Sequence, residues 1–379
     1  MSQQVVDLQS AAAAAVSVPA AAAPAKTAAK ANRVMFVEPV RAYAMSIVVF
    51  IHVASVLAPH YNTIAPIDWW ISNMYHAFSK GGPPIFTMIS GMLLLTAKAD
   101  QPLGEFFRKR FMKVLIPFIG WAGVYLFWRV WFQGETLTGN QMVNAVLKGP
   151  VYYHMWFITM ILGLYLATPV LRVYVQHASR SNLRYFLIVW FITITVLPTI
   201  GRVFDVQFGI DFVVMTNYAG YFLLGYYLRD TVLKPKYMLP ALLIVSVTLL
   251  ITEYAVHAMT IAQEGRLDTF FLNNLGFNMV IVSIGMFLFL KSLPWDVIFQ
   301  RLPPVAWAVK LLASCSLGVY FVHVLIMEAI GSGRFGIEIN SMTFSPLVGI
   351  PLTAGVTLAL SIAIISVIKR IPVLKIFVP

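Results

Sequence analysis

Three ionisable residues share one apolar run. The run is RVMFVEPVRAYAMSIVVFIHVASVLAPHYN, residues 33–62, and it holds Glu38, Arg41 and His52. An ionisable side chain in a bilayer span is costly and points to function. Successive helical residues turn by about 100° and rise by about 1.5 Å. Arg41 and His52 are eleven apart, so they fall on one side of the helix, about 16 Å apart along its axis. Glu38, three residues before Arg41, lies on nearly the same side. Arginine pairs with phosphate and carboxylate groups. Histidine can accept a proton near neutral pH. This ladder suits an anion near one membrane surface and proton abstraction deeper in the span. The same groups would also serve merely to bond neighbouring helices.

Other segments carry usable groups. KADQPLGEFFRKRFMKVLIPF gathers Lys98, Arg108, Lys109, Arg110 and Lys113 beside the Arg41 end. Arg110 and Lys113 share a helical face and could hold phosphates. Orientation charge or contact with anionic lipid explains the same cations. KGGPPIFTMISGMLL, residues 80–94, pairs two glycines with two prolines, which break a helix. Ser90-Gly91 lets backbones approach closely. Such a break either separates a surface helix from a span or lines a cavity. His323 lies deep in SLGVYFVHVLIMEAI, with Glu328 beyond it, and Arg129 lies in the third span. Glu253 and His257, four apart, can pair on one face. His154 sits at the outer mouth of the fourth span. His60, His76 and His177 read as interfacial or loop residues. There is no CxxC, HExxH or carboxylate cluster, so no metal is expected. The one cysteine, Cys315, gives no disulfide framework.

The elements that must position these groups follow from composition. The chain has 379 residues, 59% hydrophobic and 11% charged, with mean hydropathy +0.80. A soluble domain carries about 25% charged residues. The class is an all-α polytopic membrane protein. Spans of about 20 apolar residues are expected at 35–58, 79–97, 112–133, 155–175, 184–200, 214–229, 239–258, 271–291, 311–330 and 345–368. The net charge of +12 belongs to membrane topology rather than to nucleic acid. Every second loop is basic: Lys26, Lys30, Arg33; Lys98 to Lys113; Arg172, Arg180, Arg184; Arg229, Lys234, Lys236; Lys291, Arg301, Lys310; Lys369, Arg370, Lys375. The intervening loops hold only Lys148, Arg202, Arg266 and Arg334. The positive-inside rule then puts both termini in the cytoplasm. Residues 1–32 read as a disordered Ala-rich cytoplasmic tail, 33–370 as the transmembrane domain and 371–379 as a cytoplasmic C-terminal tail.

At these residues the chain resembles the acyltransferase-3 family of integral membrane acyltransferases. Four pieces carry the likeness: Glu38-Pro-Val-Arg41 with His52, the segment from Gly81 to Gly91, Arg110-Phe-Met-Lys113, and SLGVYFVH ending in His323. The family usually has Asp at the position of Glu38 and Arg at that of Lys113. YYHMWF followed by LATP is similar to surface-polysaccharide O-acetyltransferases of the family.

The resemblance implies a ten-span enzyme of the bacterial inner membrane. It would take an acyl group, most often acetyl from acetyl-CoA, to a hydroxyl of a cell-surface or exported glycan or its lipid-linked precursor. The implied partners are acyl-CoA, the glycan acceptor and membrane lipids. Arg41, Arg110 and Lys113 would hold the donor's phosphates, and Glu38 would anchor Arg41. His52 would act as general base on the acceptor hydroxyl or as an acyl-carrying nucleophile. Ser90, His323 and His154 are further candidates for lining the site. Two other functions fit the same residues: a transporter or flippase built on broken helices, and a non-catalytic subunit of a polysaccharide assembly system.

Overall fold

The computed structural model describes residues 35–97, 101–206, 208 and 217–379. The expected tail 1–32 and the cations Arg33 and Lys98 lie outside the described residues. The first apolar run forms α1, Val37–Ser55. The glycine–proline segment separates α2, Pro66–Ser79, from α3, Gly82–Leu95. Then come α4 (Leu103–Trp131), a short α5 (Gly139–Lys148) and α6 (Trp156–His177). A π-helical turn, Ile192–Val196, joins α7 (Arg180–Phe191) to α8 (Leu197–Phe204). The chain continues through α9 (Asn217–Tyr227), α10 (Pro235–Ala262), α11 (Phe277–Ser292) and α12 (Trp295–Arg301). It closes with α13 (Pro303–Gly331) and α14 (Pro346–Ile368). No strand occurs among the described residues.

Among the described residues, eight segments are long and apolar enough to cross a membrane, so the chain is an all-α polytopic membrane protein. The two other expected spans take a different form. Segment 79–97 becomes α3, with 14 residues, and the described part of segment 214–229 holds α9, with 11. At about 1.5 Å per residue α3 reaches roughly 21 Å, short of a hydrocarbon core of about 30 Å. Both are largely buried. They cross where a Cβ on Gly91 would lie 1.8 Å from the Phe222 carbonyl oxygen. A Cβ on Gly225 would lie 1.9 Å from that of Met88. Small residues at such a crossing permit backbone-to-backbone contact, which is how helices gain packing energy where lipid offers no hydrophobic drive.

α1 is central. It packs against α2, α3, α11, α13 and α14, and its apolar residues serve two cores. Val40 and Ala44 join one; Met45, Val48 and Val49 join the other. A helix apolar on all sides belongs in the interior. The C-terminal residues also pack: Trp121 of α4 donates its indole N–H to the Phe377 carbonyl at 3.0 Å, and Val378 is buried.

Candidate active site

The outer half of α1 ends in a cavity of about 170 Å³. His52, Ser55, His76, Lys80, Tyr153, His154 and Asn274 supply its polar lining. Phe86, Trp156, Phe157 and Tyr320 are among its aromatic walls. Three histidines surround one point: the ring centroids of His52 and His323 are 5.2 Å apart, those of His154 and His323 5.2 Å, and those of His52 and His154 6.0 Å. Spacing along α1 could not reveal this, because the partners come from α13 and from the turn before α6.

Each histidine is oriented by its own element. His323 lies 2.8 Å through Nδ1 from the Tyr320 carbonyl and 3.1 Å from that of Val319. Both oxygens only accept, so Nδ1 carries the proton and Nε2 keeps its lone pair. That Nε2 is buried and has no hydrogen-bond partner among the described residues. His154 is fixed through its backbone. The Tyr320 hydroxyl donates to its carbonyl, and Tyr152 just before it donates to Glu328 at 2.5 Å. Gln133 donates in turn to Tyr152, and Arg129 donates to the Val151 carbonyl. Neither ring nitrogen of His154 has a hydrogen-bond partner among the described residues. The His52 carbonyl accepts from the Ser55 hydroxyl at 3.1 Å, while its imidazole makes no hydrogen bond to a described residue and faces the cavity.

His76 corrects the expectation of an interfacial residue. It is buried in α2, its Nδ1 is unpartnered, and it lines the same cavity as His52. The helix break explains this: α2 ends one residue before Lys80, so His76 and Lys80, one turn apart, both face the space the break opens. Asn274 adds an unpartnered buried Oδ1. An unsatisfied buried polar atom costs about 1–3 kcal/mol. His76 Nδ1, both nitrogens of His154 and Asn274 Oδ1 border this one cavity. That concentration suits a hydrogen-bonding ligand.

Arg41 occupies the other end of α1, about 16 Å along the axis from His52. It is half-buried. Tyr165 of α6 lies within electrostatic reach of both Arg41 and Arg110. The Arg110 guanidinium sits 5.9 Å from the Tyr165 ring and 5.7 Å from the Phe106 ring. The Arg172 guanidinium lies 4.7 Å from the same Phe106 ring and donates to the Leu94 carbonyl at 2.8 Å. Among the described residues no carboxylate forms an ion pair with Arg41, Arg110 or Arg172. Arg172, which the sequence offered only as orientation charge, is the third arginine of this cluster.

Four expectations change. Lys113 stands exposed, while Arg110 turns inward, because three residues rotate a helix by about 300° and not a full turn. Glu38 is exposed and makes no direct hydrogen bond or ion pair with Arg41, and acts on it only through a longer-range electrostatic attraction. Ser90 lies on α3 but does not line the cavity. Glu253 does not pair with His257: it is buried and accepts from Asn73 at 2.9 Å, while His257 bonds the Tyr61 hydroxyl at 3.1 Å. Asn73 lies one turn before His76, so this bond helps to seat the α2 face that carries His76 and Lys80.

A family model described as an acyltransferase domain matches residues 36–366. No curated protein and no solved structure shows a significant match.

Proposed function

The chain belongs to the acyltransferase-3 family of membrane acyltransferases, and from that premise we propose that it is an O-acetyltransferase acting from acetyl-CoA on a glycan hydroxyl. The observation that carries the reading is one helix with two different ends. Arg41 joins a cluster of arginines with which no described carboxylate forms an ion pair, and His52 borders a cavity rich in polar atoms without a described partner. Acyl-CoA has matching parts: phosphates at one end, a thioester at the other and a flexible arm between. Arg41, Arg110 and Arg172 hold the phosphates at the cytoplasmic face of the inner membrane. The thioester reaches the histidine cavity. An acceptor hydroxyl enters from the outer side.

His52 takes the hydroxyl proton as the oxygen attacks the thioester carbonyl. The new C–O bond forms, the C–S bond breaks, and the thiolate takes the proton back from the imidazolium. The products are an ester and CoA thiol. The modest cavity around His52, about 170 Å³, supports a short acyl group.

The test is purified protein in lipid nanodiscs, given acetyl-CoA with labelled acetyl and surface glycans. Labelled ester should form with release of one CoA thiol. Movement of unmodified glycan with no dependence on CoA would replace this reading with transport. Arg41→Ala should raise KM for acetyl-CoA by about 10- to 100-fold, the range for charge-assisted hydrogen bonds, with a smaller change in kcat. A change confined to the acceptor's concentration dependence would misplace the donor.

A further inference from the structure

Beside the histidine cavity lies a second, more open one of about 700 Å³. The two share Lys80, Trp156 and Asn274 as a common wall. The wider space is bordered also by Arg202, Tyr218, Asp268 and Phe270. Its parts come from the starts of α6 and α9, from α8, and from the loop before α11. The loop charges put all of these opposite the arginine cluster.

The charges in this vestibule are unequal in standing. Asp268 is fully engaged: it accepts from Arg202 at 2.6 Å, from Gln263 at 2.5 Å and from the Phe270 amide at 2.8 Å. That ion pair cancels itself. Lys80 has no side-chain hydrogen bond or ion pair to a described residue, yet it is half-buried at the junction of the two cavities. A cation withdrawn from water without a counter-ion is expensive unless a ligand supplies the negative charge. Two further features stand beside it. Asn274 donates to the Tyr218 hydroxyl at 3.0 Å and leaves Oδ1 bare as an acceptor. Trp156 and Tyr218 form a tilted aromatic pair, with ring centroids 5.5 Å apart. Aromatic faces pack against the apolar C–H face of a sugar ring while their polar edges stay available.

We infer that this vestibule is the acceptor subsite and that it selects an anionic sugar. The ring packs on Trp156 and Tyr218, a hydroxyl donates to Asn274 Oδ1, and a carboxylate or phosphate on the sugar rests on Lys80. A second hydroxyl is then held toward His52 through the shared wall. The inference rests on the acyl-transfer reading for its direction, but binding tests it separately.

The experiment uses the full chain in nanodiscs and three probes: methyl glucoside, methyl glucuronide and methyl glucoside 6-phosphate. Binding is read by titration calorimetry and transfer by labelled acetyl. At least one anionic glycoside should bind about 10- to 100-fold more tightly than the neutral one. Comparison of the two anions tells carboxylate from phosphate. Lys80→Gln should erase the preference, Lys80→Arg should keep most of it, and Trp156→Ala should weaken all three alike. Melting temperatures show that each variant is folded, and Lys80→Arg carries the test if Lys80→Gln is not. Equal binding of all three probes, or binding of none, overturns the inference. So does a Lys80→Gln variant that slows transfer to every acceptor equally with the preference intact. Anionic binding without transfer from any acyl donor would keep the subsite and overturn the acyl-transfer reading. Transfer without anion preference would do the reverse.

Discussion

His52→Ala is expected to lower acyl transfer by about 10²- to 10⁴-fold, the range that a positioned general base contributes. The protein should still accumulate in the membrane, because the His52 side chain makes no hydrogen bond to a described residue and its removal enlarges a space that is already a cavity. Binding of acetyl-CoA should persist, since the arginine cluster lies about 16 Å away along α1. The useful measurements are therefore single-turnover transfer and donor affinity on one preparation. Added imidazole should restore part of the rate if the lost group is a base. His323→Gln is the informative comparison. His323 forms a tilted ring pair with His52, with centroids 5.2 Å apart, but does not line the cavity. Its loss should cost less than that of His52 and should not respond to imidazole. Near-normal turnover in His52→Ala would remove this residue from the mechanism.

Gly91→Val and Gly225→Val should each prevent accumulation of folded protein. Even the first added carbon would sit 1.8 Å from the Phe222 carbonyl oxygen at one position and 1.9 Å from that of Met88 at the other. Backbone atoms cannot rotate away as a side chain can, so the two helices must separate. Overpacking a core costs about 1–3 kcal/mol where side chains give way, and occasionally more. A backbone clash belongs at or above the upper end. A loss of about 3 kcal/mol changes the folded-to-unfolded ratio by more than 100-fold. Size-exclusion profiles and thermal melting in detergent are the checks. Gly163→Ala and Gly355→Ala meet nothing within 4 Å and should melt like the parent. A parent-like melt for Gly91→Val would mean that α3 and α9 do not cross at this pair.

The consequence for function is positional. α3 follows directly on Lys80 and carries Phe86, while α9 begins beside Tyr218. Their close crossing ties the histidine cavity to the vestibule.

Much of this protein was legible in its residues. Low charge and high hydropathy decided the membrane class, because lipid leaves helices as the economical way to satisfy every backbone group in such a chain. The eleven-residue interval between Arg41 and His52 decided that one helix carries both groups on one side, because helical pitch is local geometry. The break at Gly81 was readable for the same reason. Tertiary structure alone decided who stands beside them. His76, His154 and His323 are far apart in sequence and meet only because α2, the turn before α6, and α13 all pack around α1. Arg172 replaces Lys113 in the arginine cluster because helix rotation turns Lys113 outward, whereas packing of α6 brings Arg172 in. Glu253 takes Asn73 rather than His257, since burial rewards a partner on another helix over one a turn away on its own. Lys80 owes its meaning to two cavities that share its side chain, and no local pattern in a sequence records a shared wall.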